Sequence, residues 1–138
     1  MNRYGPIALA DAVFAVHLAV IAFNVFGLVA IPLGAWRGWR FVRIVWWRAL
    51  HLGFLIVVAV QAVAGRACFL TLWWSDLLAS AGQATQTEPL IQRWIVRLIY
   101  WPLPLWVFTA LYVAVLVYAA LLWWLVPPDI GRRSDKGR

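Results

Sequence analysis

The chain has 138 residues, 65% of them hydrophobic and 12% charged, with twelve Lys and Arg against five Asp and Glu for a net charge of +7. An ordinary soluble domain is roughly 25% charged, so this balance excludes a soluble globular fold, and the length leaves no room for a soluble domain beside a membrane bundle. The positive charge belongs to topology rather than to nucleic-acid binding, because the basic residues form no folded module with interleaved aromatics.

The first apolar run covers residues 7–33. A helix rises ~1.5 Å per residue and the hydrocarbon core needs about 20 residues, so this run is long enough to span. It exceeds the usual core of a cleaved signal peptide, and only Arg3 precedes it. It also carries His17 and Asn24, so it reads as a permanent helix. A basic loop with Arg37, Arg40 and Arg43 follows, and Arg48 extends the cluster.

The second span, residues 44–64, is interrupted by Arg48, His51 and Gln61. After it, CFLTLWWSDLLASAG sets Leu70, Trp73, Trp74, Leu77, Leu78 and Ala81 at helical spacing, too short to cross a bilayer. GQATQTEP is a polar connector. LIQRWIVRLIYW then reads as an amphipathic helix in the interface, with Leu90, Ile91, Trp94, Ile95, Leu98 and Ile99 on one face and Arg93 and Arg97 on another. Pro102 and Pro104 end it and open the third span, residues 103–126.

The expected architecture is all-α: one polytopic membrane domain over 1–138, with three spanning helices, an outer interfacial segment at 68–101 and a basic tail at 127–138. Three spans put the first loop and the tail on one side. That side holds eight basic residues and the other holds four, so the positive-inside rule places the N-terminus outside and the tail in the cytoplasm. The tail GRRSDKGR is a solvated anchor near anionic headgroups.

The tryptophans fall at the two boundaries. Trp36, Trp39, Trp46, Trp47, Trp123 and Trp124 lie at the inner one, and Trp73, Trp74, Trp94, Trp101 and Trp106 at the outer one. Indole pairs an apolar body with one N–H donor and favours the headgroup level, so an interfacial belt explains them better than a cofactor cage.

No catalytic motif and no metal-ligand spacing is present. The single Cys68 has no internal disulfide partner and reads as a small interfacial residue. The polar residues inside the spans are the candidate site, since such groups face the bundle interior. Counted from the cytoplasmic ends, Asn24 and His51 lie ~14 Å and ~10 Å deep, and His17 and Gln61 ~24–26 Å deep. Antiparallel packing therefore pairs Asn24 with His51 and His17 with Gln61. The histidines end ~14 Å apart in depth, too far for both to ligate one haem iron.

These four residues read first as interhelical hydrogen bonds worth roughly 0.6 to 2 kcal/mol each. That makes the protein a non-enzymatic structural or accessory membrane subunit, with no cofactor. The alternatives are a redox-linked subunit holding haem or quinone at His17 or His51, and an oligomeric small-solute carrier. The lipid bilayer is the partner, together with further copies or a larger membrane complex, and nucleic acid is not.

The ordered set DAVFAVHLAVIAF, RALHLGF, ACFLT and LIQRWIVRLIYWPLPLWVF resembles the bacterial family of small membrane proteins known as domain of unknown function 2784. The resemblance implies an inner-membrane bundle and carries no established activity. The family pattern follows the Cys-x-Leu-Thr with a Glu three residues on, where this chain has Trp74. Asp76 is the nearest carboxylate, so no role is carried over from that Glu.

Overall fold

The computed structural model describes residues 4–83, 94, 97 and 103–130. All regular structure among them is helical: α1 (Tyr4–Arg37), a 3₁₀ turn (Phe41–Arg43), α2 (Val45–Val63), α3 (Phe69–Ser80) and α4 (Leu105–Leu125). Three of these, α1, α2 and α4, are long and apolar enough to cross a membrane. The expected outer amphipathic helix lies outside the described residues except for Trp94 and Arg97, which are helical and exposed.

Helix α1 outlasts its expected span by a few residues at each end, because Pro32 sits within it without ending it. It stops where Gly38 adopts φ +74°, a left-handed geometry that lets the Trp39 N–H reach back to the Gly34 carbonyl at 2.8 Å. The chain then turns through Phe41–Arg43 with Val42 fully buried, and re-enters as α2.

The bundle is staggered. At 1.5 Å per residue α1 is about 51 Å long, whereas α2 and α4 are about 28 and 31 Å. The last two match a hydrocarbon core of about 30 Å, so α1 overshoots by roughly 20 Å. The overshoot falls at both ends of α2, about 10 Å past Val45 and about 12 Å past Val63 by helical rise. His51 of α2 lies level with Asn24, while α3 meets the first half of α1 through Thr71 beside His17 and Trp74 against Phe14 at 5.5 Å between ring centres. Helix α3 therefore runs in the direction of α2, starting beside the last turns of α2 and continuing along α1 past Val63. Asp11 and Asp76, both exposed, sit on this α1–α3 pair.

The buried faces follow from side-chain size. Ala10, Val13 and His17 of α1 face Leu70, Thr71 and Ser75 of α3, and the small members allow close approach. Arg48, His51, Leu55 and Ala59 form the buried stripe of α2. Phe108, Ala119 and Leu122 are its counterpart on α4.

Candidate functional site

The intramembrane polar residues form a ladder of cross-links between helices. At the inner end, Arg48 is 2% exposed and donates through Nη2 to the Leu122 carbonyl at 2.8 Å and through Nη1 to the Val42 carbonyl at 3.4 Å. Its guanidinium lies 5.4 Å from the centre of the Trp123 ring. The cation thus rests against the carbonyl end of α4, where the helix dipole is negative.

By sequence position Arg48 belongs to the basic cluster of the first loop, yet the structure places it inside the bundle. Its neighbours explain this: α2 begins only three residues earlier, and the 3₁₀ turn and the last turn of α4 close over it. The polar interruption in an apolar run was the available signal. The segment after α4 is also tied down here, since the Asp129 N–H donates to the Arg43 carbonyl at 2.9 Å.

One turn farther in, the His51 Nε2–H donates to the backbone carbonyl of Asn24 at 3.0 Å. The expected level is right, but the partner is the backbone rather than the Asn24 amide. That amide donates instead to the Val20 carbonyl on its own helix at 2.8 Å, and its Oδ1 is buried without a partner among the described residues. Gly27 makes the His51 contact feasible, because a Cβ there would collide with the imidazole. Trp47 stacks on the same ring at 6.0 Å and Phe23 meets it edge-on at 5.9 Å. Trp47 and Trp123 thus pack on the buried His51 and Arg48, and Trp74 on half-buried Phe14. Trp36, Trp46, Trp106 and Trp124 are each at least 70% exposed and do suit a belt.

The expected pairing of His17 with Gln61 is not formed. Gln61 Oε1 accepts the Phe69 N–H at 3.2 Å instead. The first turn of a helix leaves its N–H groups unpartnered, and Cys68 supplies no side-chain cap to α3. Gln61 is level with that turn and serves it. His17 Nδ1 then lies 3.4 Å from Thr71 Oγ1, with the direction of donation set by the tautomer. Thr109 adds a tie between α2 and α4 by donating to the Ala62 carbonyl at 3.2 Å. Tyr118 reaches the Leu28 carbonyl of α1 at 3.4 Å.

A cavity of about 70 Å³ adjoins His17, lined also by Cys68, Thr71, Phe108, Thr109 and Tyr112 among others. Of this set, spacing along the sequence singles out only His17, because the cavity is assembled from four separate elements. His17 and the His51 contact at Asn24 are seven residues apart on α1, about 10 Å by helical rise, so the two rings serve different places. No group of three or more potential metal ligands occurs among the described residues.

No curated protein and no solved structure matches the chain. A family model described as Protein of Unknown function (DUF2784) matches residues 7–128. That match spans both partners of every side-chain cross-link above, and the chain belongs to the DUF2784 family.

Proposed function

We propose that this protein is a non-enzymatic structural or accessory component of the bacterial inner membrane, with its N-terminus outside and its tail in the cytoplasm. One observation carries the reading: the polar side chains inside the bundle spend their hydrogen bonds on neighbouring helices, chiefly on backbone atoms. Lipid tails are as apolar as Leu, so helices in a bilayer are not driven together by hydrophobicity, and such bonds set their register. The proposed slab coincides with α2 and α4. The first turns of α1 and the end of α3, with exposed Asp11 and Asp76 near them, then pass the slab on the outer side.

A haem or quinone role would fall on His17. His51 is enclosed by Trp47, Phe23 and Gly27, whereas His17 borders a cavity. The test is an absorption spectrum of the detergent-purified protein. The structural reading expects no Soret band, and a Soret band that disappears in His17→Ala would contradict it.

A further inference from the structure

The His17 cavity shares part of its wall with a groove on the bundle surface. Ala62, Gly65, Leu105 and Thr109 line the cavity and also line this wider, open groove of about 650 Å³ on the α2–α4 surface. The groove continues past exposed Trp106 along Ala110, Val113 and Ala114. From Leu105 to Ala114 this track runs about 14 Å along α4. It is walled by apolar and small side chains, on a face that the three-span arrangement turns toward lipid.

The cavity and the groove beside it differ in chemistry. At the cavity end stand His17, Arg66 and Tyr112, and no carboxylate lines either the cavity or the groove. The Tyr112 hydroxyl makes no hydrogen bond among the described residues, so it is available to a guest. A water needs about 10–15 Å³ of such space, so the cavity takes several waters or a head of a few heavy atoms. It is far below the roughly 300 Å³ at which pockets for drug-sized ligands begin.

We propose that this space is a binding site for a single-chain lipid with a carboxylate head, entering sideways from the outer leaflet. The carboxylate lies between Arg66, Tyr112 and His17, where the lining offers donors and positive charge. The acyl chain descends along Ala110 and Ala114. The site goes beyond the structural role and does not depend on it.

The test uses the full chain in nanodiscs with a fluorescent polyene fatty acid as probe and its methyl ester as control. Energy transfer from protein tryptophan, with Trp106 beside the groove, reports occupancy. Saturable binding of the acid is expected, weakened about tenfold by Arg66→Gln and abolished by Ala110→Phe, which fills an exposed position in the groove without adding a donor. The ester should bind at least tenfold more weakly than the acid and be indifferent to Arg66→Gln. Circular dichroism checks that both variants keep wild-type helicity, and Ala110→Ser serves as a second, milder groove variant that should bind like wild type. Equal binding of acid and ester, or binding unchanged by Ala110→Phe, would overturn the proposal. Displacement of the acid by an alkyl benzoquinone at lower concentration would overturn the carboxylate assignment.

Discussion

Arg48 carries the sharpest energetic consequence at the scale of single residues. Its charge is held by two backbone carbonyls and an indole, with no carboxylate in contact among the described residues. A Lys ammonium in the same place keeps the charge but loses the planar fork that reaches both carbonyls. A Met removes the charge and leaves no orphan at Leu122, whose carbonyl already accepts the Val126 N–H at 2.9 Å. Buried ions are often replaced by apolar side chains at little cost, whereas an ill-satisfied buried charge is expensive. Arg48→Lys should therefore lose about 2–3 kcal/mol, more than Arg48→Met, in unfolding titrations with a denaturing detergent. Asn24 makes the converse case. Its buried Oδ1 lacks a partner, so Asn24→Leu should be neutral or stabilising by about 1 kcal/mol in the same titration.

Close approach matters most between elements, and Gly27 controls it for α1 and α2. Gly27→Ala places a methyl group on the His51 ring and should cost about 1–3 kcal/mol. In a His51→Ala background the clash is gone, and the same substitution should gain up to about 1 kcal/mol from helix propensity. That reversal of sign, read by thermal unfolding, is specific to this contact. Gln61 plays the analogous part for α3. Gln61→Ala leaves the Phe69 N–H without its acceptor and should loosen α3, seen as faster hydrogen exchange at residues 69–72 with α2 unaffected.

Spans, stagger and sidedness belong to the whole molecule, and of these the spans were the most legible in the sequence. Apolar run length locates α1, α2 and α4, and the 3.6-residue spacing after Cys68 locates α3. Helical rise also puts Asn24 level with His51. What rise cannot supply is direction around the helix axis or the use of backbone acceptors. For that reason His17 meets Thr71 rather than Gln61, and His51 meets a carbonyl rather than an amide. Arg48 was hidden because charge counting treats every arginine near a loop alike. The cavity was hidden because Tyr112, Thr109, Cys68 and His17 come from distant parts of the chain. On sidedness, a reporter fused after Arg138 should behave as cytoplasmic, and a cysteine at Gln83 in a Cys68→Ser background should label from outside. Labelling from the cytoplasmic side would reverse the orientation.

The central claim, that polar side chains tie this bundle largely through backbone atoms, is tested most directly by two double-mutant cycles in one unfolding assay. His17 and Thr71 meet side chain to side chain, so His17→Ala and Thr71→Ala should couple by about 0.6 to 1.7 kcal/mol. His51 is bonded to the Asn24 carbonyl, which side-chain replacement leaves in place, so His51→Ala and Asn24→Ala should add to within about 0.5 kcal/mol. His51→Ala alone should still destabilise. Strong coupling between His51 and Asn24, or no loss of stability in His51→Ala, would contradict the account.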